Sequence, residues 1–243
     1  MSPAKISAPA QEFVTSVLAL KPETAVFDCD GTLWSGDSGA DFFYWQIRRN
    51  MLPPEVAEWA LARYADYKRG NVGEETMCGE MVTISAGLSE EELEAAAREF
   101  FAELVEHRIF SEMLELTQAL HASGCELWAV SSTNIWVVAN GAKRFGIPPG
   151  RVLAACAHTR DGRVTQDLLR VPSGAAKASA LQESLGKTID VCFGNSIHDL
   201  AMMEVAEHAF AVNPNPDLEQ IALEKGWKIY WPAGMEKLAN DTK

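Results

Sequence analysis

Short apolar runs that end on polar residues, alternating with helical stretches, constrain this chain more than any other feature. Thr24-Ala25-Val26-Phe27-Asp28 reads as a buried strand ending in an acid. Cys125 to Ser131 is a second such run, ending on a hydroxyl, and Arg151 to Ala157 is a third. Ile189 to Phe193 is a fourth, followed by Gly194-Asn195-Ser196-Ile197-His198-Asp199. His208 to Val212 and the residues around Trp227 to Trp231 read as two more strands. Between the runs, Gln11 to Leu20, Glu112 to Ala122, Ile135 to Phe145, Ala175 to Leu185, the stretch up to about Glu207, and Asp217 to Lys225 read as helices. His158 to Thr165 holds an Asp161-Gly162 turn and reads as a β-hairpin flap. Strands separated by helices predict an α/β fold, a Rossmann-like parallel sheet with helices on both faces.

One segment breaks the alternation. From about Asp37 to Arg108 the chain is charged, aromatic and helical, interrupted at Pro53-Pro54, Gly70 to Gly73 and Gly87. Ser89 is placed to cap a helix, with Glu92 at the capping-box position. A stretch of about 70 residues is too long for an ordinary connection. It predicts an inserted helical cap domain over 35–108, with residues 1–34 and 109–243 forming the α/β core.

Charge narrows the partners. Lys and Arg number 21 against 34 Asp and Glu, a formal charge of −13 in 243 residues. Such a chain repels nucleic-acid backbones and anionic membrane surfaces at long range. A small phosphate ester is still admissible, because it answers to local groups and a bound cation. No run approaches the roughly 18 apolar residues of a membrane span, and residues 1–10 show no leader pattern. The cysteines (Cys29, Cys78, Cys125, Cys156, Cys192) form no C-x-x-C pair, which argues against zinc and for a reduced, cytoplasmic protein.

In open α/β sheets ligands bind beyond the carboxyl ends of the strands. Asp28, Ser131 and the Asn195/Asp199 pair therefore converge, and Lys177, opening a helix, can reach the same crevice. A carboxylate can attack phosphorus. A hard cation such as Mg²⁺ on oxygen ligands screens the repulsion between the two anions. A lysine and a hydroxyl can hold the phosphoryl oxygens. A second carboxylate, Asp30, can protonate the leaving alcohol and then deprotonate water. Each residue taken singly has a plainer reading. Asp28 and Asp30 suit a turn, Ser131 a helix cap, Lys177 a solvated helix face, and Asp199 a helix N-terminus.

Four motifs in order, Asp28-Cys29-Asp30-Gly31-Thr32, Ala129-Val130-Ser131, Lys177 after Gly174-Ala175-Ala176, and Gly194 to Asp199, resemble those of the haloacid dehalogenase superfamily. The likeness is to its phosphoserine-phosphatase-like branch, with a helical cap, and runs from about Thr24 to Trp231. It implies a Mg²⁺-dependent phosphatase acting on a small organic phosphate monoester through an aspartyl phosphate. The neighbouring options are a phosphotransferase or mutase, or a catalytically weakened protein that binds a phosphate ligand. By the resemblance Asp28 is nucleophile and metal ligand. Asp30 is general acid/base with its main-chain carbonyl on the metal. Ser131 and Lys177 bind phosphate, Asn195 stands at a metal position usually acidic, and Asp199, the second acid of that motif, is counted with Asp28, Asp30 and Asn195 among the metal ligands. Oligomeric state is not legible. His198, Lys187 and His158 receive no role.

Substrate choice is expected in the cap. Asp37 follows Asp28 by nine residues, where phosphoserine phosphatases place an acid against the substrate amine. The cap arginine that those enzymes use on the substrate carboxylate falls near Gly79 here, leaving only Arg63 or Arg69 as substitutes. Trp34, Phe42, Phe43, Tyr44, Trp45, Trp59, Tyr64 and Tyr67 pack the cap or, with Asp37 and Asp41, wall a cationic head group. An amino-alcohol phosphate such as phosphocholine or phosphoethanolamine would suit that wall.

Overall fold

A computed structural model describes residues 6–235. The expectation of a leaderless start rests partly on residues 1–5, outside that range. Seven strands form one sheet: β1 (Thr24–Phe27), β2 (Glu126–Asn134), β3 (Val152–Arg160), β4 (Arg163–Arg170), β5 (Ile189–Gly194), β6 (Ala206–Val212) and β7 (Lys228–Tyr230). Their order is β4-β3-β2-β1-β5-β6-β7. All neighbours are parallel except β3 and β4, the arms of the expected hairpin. Asp161 and Gly162, at φ 53° and 71°, supply the left-handed backbone that such a two-residue turn requires.

β1 lies at the centre, with Phe27 opposite Ala129 of β2 on one side and Phe193 of β5 on the other. Its four residues are all buried, as in a parallel strand covered on both faces. Alternate side chains feed different layers. Ala25 and Phe27 join an apolar cluster with α1 (Ala8–Leu18), α6 (Ser111–Ala122) and α7 (Ile135–Ala142). Val26 joins the opposite cluster with α8 (Ala175–Leu185), α9 (Leu200–Glu204) and α10 (Pro216–Lys225). The strand order reverses at β1, so a crevice opens beyond the ends of β1, β2 and β5.

Between β1 and β2 lie α2 (Ser38–Arg48), α3 (Pro54–Lys68), α4 (Glu74–Thr83) and α5 (Glu90–Phe100). The first three build a separate cluster with Phe43, Tyr64, Met77 and Ile84. α5 packs on α7, and its Leu93, Ala97 and Phe100 join the main core. The capping box of Ser89 and Glu92 forms as its sequence predicts. The sequence does not announce the π turn at Phe101–Val105 that follows α5.

Several ends differ from expectation for local reasons. α1 begins earlier, because Ser7 caps it and Pro9 fits its first turn. β2 continues past Ser131 through a register shift that pairs Asn134 with Ala155. The helix expected to reach Glu207 stops at Glu204, since Ala206 already pairs with Ile189. Among the described residues no helix is long and apolar enough to cross a membrane.

Candidate active site

Asp28 is fixed at the end of β1 by its N–H, which donates to the Phe193 carbonyl at 2.9 Å. Lys177, in the first turn of α8, places Nζ 2.8 Å from Asp28 Oδ1 and 2.6 Å from Asp199 Oδ1. Thr32 Oγ1 donates to Asp28 Oδ2 at 3.0 Å. All three charged groups are buried: Asp28 is 5%, Lys177 2% and Asp199 0% exposed. Two carboxylates against one ammonium leave one buried negative charge uncompensated by a protein cation. Burial and the nearby Asp199 charge push the Asp28 carboxyl up to about 7, against the pull of Lys177. Burial pulls Lys177 down, but the two carboxylates outweigh it and hold the ammonium above its ordinary value.

Asp199 closes the loop after β5. Its Oδ2 accepts from the Asn195 and Ser196 N–H groups, both at 2.9 Å, while Oδ1 meets Lys177. Both oxygens of this expected ligand are thus engaged by donors, and its side chain lies beneath the cavity rather than lining it. The Asn195 amide lies directly over Gly31, where an added Cβ would fall 1.9 Å from Nδ2. Gly31, at φ 81°, permits both the turn and that approach. Asp28, Asp30 and Asn195 line the same cavity. Among the described residues no three His, Cys, Asp or Glu side chains cluster as a metal set. The lining side chains that could hold a cation, the Asp28 and Asp30 carboxylates and the Asn195 amide, offer oxygens. Together with the uncompensated charge they fit a hard cation such as Mg²⁺ better than zinc.

Asp30 is held by three donors. Trp34 Nε1 (2.7 Å) and the Ser38 N–H (2.8 Å) reach Oδ1, and Thr133 Oγ1 (2.8 Å) reaches Oδ2. Ser131 faces the cavity and accepts from the Thr133 N–H at 3.1 Å, which leaves its own hydroxyl hydrogen to donate. The cavity, about 240 Å³, brings Asp28, Asp30, Ser131, Lys177, Asn195 and the cap's Asp37 to one space. Asp37 caps α2 through the Ala40 N–H at 2.9 Å. Asp37 keeps a solvent-exposed face, yet partial desolvation and the nearby Asp30 push its carboxyl up to about 6.

The cap wall is acidic and aromatic. Of the eight early aromatics, Tyr64 and Tyr67 line the cavity. Trp34, Phe42, Phe43 and Trp45 are buried in the apolar clusters instead. Asp41 pairs with Arg108 at 2.7 Å and does not reach the cavity. The arginines considered as carboxylate clamps are also spent elsewhere, Arg63 on Glu80 at 2.8 Å and Arg69 on Asp66 at 2.7 Å. No arginine is among the lining residues.

Sequence reasoning missed Glu74 and Thr133. Glu74 opens α4, accepts from Ser173 at 2.9 Å, and forms an ion pair with His198. Burial works against its charged form, yet His198 holds its carboxyl below the usual range, and Glu74 in turn raises His198. Only the acid itself, in a helix's first turn, is visible in sequence; its partners lie about a hundred residues away.

A doubly wound α/β core, a helical insertion after the first strand, and a buried Asp-Lys-Asp centre at the strand ends are the frame and site of a hydrolase. The haloacid dehalogenase-like hydrolase model matches residues 25–204, and the chain belongs to that family. A protein named histidinol-phosphatase from Neisseria meningitidis is 28% identical over 84% of this chain and 96% of its own length. Phosphoserine phosphatase SerB1 of Mycobacterium tuberculosis is 28% identical over 84% of this chain and 69% of its own. A crystal structure of a protein of unknown function from Bordetella pertussis superposes with a TM-score of 0.75 at 25% identity, covering 86% of this chain and 98% of that one.

Proposed function

We propose that the protein is a Mg²⁺-dependent phosphatase for a small phosphomonoester whose alcohol part carries a cation, with residues 35–108 acting as the cap that selects it. The cavity itself supports this most directly. The cavity that holds the Asp28–Lys177 centre is also lined by Asp37, Glu74, Tyr64 and Tyr67 from the stretch between β1 and β2, and by no arginine.

In this reading an Asp28 carboxylate oxygen attacks phosphorus. The P–O bond to the alcohol breaks, its electron pair stays on the alcohol oxygen, and Asp30 supplies the proton. Asp30, now ionised, takes a proton from water as the water oxygen attacks the same phosphorus. The bond between phosphorus and Asp28 breaks, releasing phosphate and restoring the carboxylate. Lys177 and the Ser131 hydroxyl hold phosphoryl oxygens throughout. The Asp28 carboxylate, the Asp30 carbonyl and the Asn195 amide oxygen would hold Mg²⁺, with Asp199 orienting the Asn195 loop. Bound there, the ion screens the repulsion between Asp28 and the phosphate.

Asp37 would take the substrate cation, with the tyrosine faces adding cation–π attraction of about 0.5–2 kcal/mol. An unclamped carboxylate would face Asp37 and Glu74, which disfavours phosphoserine. Phosphoethanolamine, phosphocholine and histidinol phosphate, the last after the Neisseria relative's name, are amino-alcohol phosphates without that group. All five thiols are free and four are buried, which suits a reducing cytoplasm.

A phosphomonoester panel with and without Mg²⁺, with Asp28→Asn as control, tests the proposal. Mg²⁺-dependent turnover favouring cationic esters and lost in the variant supports it. Equal turnover of anionic sugar phosphates removes the substrate assignment. Phosphate binding without any turnover removes the enzyme assignment.

A further inference from the structure

The chain leaves the core for the cap at Trp34, and the returning chain crosses it there. The Phe110 N–H donates to the Leu33 carbonyl at 3.0 Å and the Ser35 N–H to the Arg108 carbonyl at 3.1 Å. Trp34 itself bridges to Ile109. Its ring is fully buried, edge-on to Phe101 of the π turn with centroids 5.4 Å apart and planes at 89°. Gly141 of α7 makes the space: a Cβ there would lie 2.8 Å from Trp34 Cη2 and 2.5 Å from Phe101 Cε2. A tryptophan at this place could be mere packing. Its one polar atom, however, is aimed at a group of the site, 2.7 Å from Asp30 Oδ1.

That contact has a directional consequence. Asp30 Oδ1 accepts two N–H bonds, from Trp34 and Ser38, whereas Oδ2 accepts a hydroxyl, which can rotate to accommodate a proton. The acid form therefore carries its proton on Oδ2. We propose that Trp34 is a positioning residue for the acid–base step, its indole N–H confining the Asp30 proton to Oδ2 and aiming it at the departing alcohol. In that step the P–O bond to the alcohol breaks, the electron pair remains on the alcohol oxygen, and the Oδ2 proton moves to it. The inference rests on the phosphatase reading, in which Asp28 is nucleophile and Asp30 acid.

Trp34→Phe keeps an aromatic ring and deletes the N–H. Single-turnover release of the alcohol isolates the first step, measured with phosphoethanolamine and with p-nitrophenyl phosphate, whose leaving group departs unprotonated. General acid catalysis is worth about 10²–10⁴ in rate. Misaiming the acid should slow the first step by about tenfold or more on phosphoethanolamine and by less than about twofold on p-nitrophenyl phosphate. Gly141→Ala, which crowds the ring without touching its N–H, should show the same selectivity, and it carries the test if Trp34→Phe fails to fold. Equal losses on both esters, or no loss on either, overturn the role of Trp34 alone. A wild-type protein inert toward both esters overturns this inference and the reading beneath it together.

Discussion

Replacing Lys177 by Met removes the one cation between two buried carboxylates. Its Nζ stands 2.8 Å from Asp28 and 2.6 Å from Asp199, so neither acid keeps a cationic partner after the change. Breaking a buried ion pair from one side costs about 3–5 kcal/mol, because charge is left without compensation. In a chain of this size each kcal/mol moves Tm by about 2–4 °C, so a fall of about 6–20 °C is expected. The sign of the pH dependence follows from Asp28, already raised to about 7 with the lysine in place. A carboxyl raised on folding contributes stability that is present below its unfolded pKa, near 3.9, and lost as pH rises through its folded value. Without Lys177 that value climbs further, so the penalty is small near pH 5 and largest above pH 8. Urea denaturation of metal-free wild-type and variant protein at the two pH values measures it. A penalty below about 1 kcal/mol at pH 8, or the same penalty at pH 5, would refute the argument that Lys177 holds two ionised acids together.

Three further outcomes are expected. Asn195→Asp adds a charge at the metal site, so Mg²⁺ should bind at least about fivefold tighter by calorimetry, since an added charge at this range is worth about 1–4 kcal/mol. With its carboxyl pushed up to about 6, Asp37 gains charge as pH rises through that value, so affinity for phosphocholine should improve there. Asp37→Asn should remove the improvement while changing sugar phosphates little, as KM profiles would show. His198, raised by Glu74, contributes stability present below about pH 6.5 and lost as pH rises through its folded value. His198→Gln should therefore destabilise the protein by about 1 kcal/mol or less at pH 5.5, and by almost nothing at pH 9, in denaturation curves.

The frame and the convergence of the strand-end residues on one cavity were legible because local rules dictate them. Thr24 to Phe27 is uniformly apolar, as a strand buried on both faces must be. α8 begins and ends where Ala175 and Leu185 predict, with Gly186 left-handed just beyond. The Asp161-Gly162 turn needed no tertiary information. Placing Asp28, Ser131 and Asn195 together required only the rule that strand ends converge. What stayed hidden depends on pairs that are distant in the chain. Thr133 reaches Asp30 across 103 positions, through a bulge in β2 that no residue type announces. Asp41 looks like a binding acid until Arg108, 67 positions away, takes it. The fates of Arg63 and Glu74 are likewise fixed by neighbours that only the packed cap supplies.

Phosphate on Asp28 is the most direct test of the central claim. Asp30→Asn should leave attack on p-nitrophenyl phosphate possible while slowing hydrolysis of the adduct, since no base remains to activate water. Rapid acid quench in the presence of Mg²⁺, proteolysis and tandem mass spectrometry should then find one phosphate on the peptide that contains Asp28, at that residue. A phosphate on another residue, or turnover by the Asp28→Asn protein at the wild-type rate, would contradict the account.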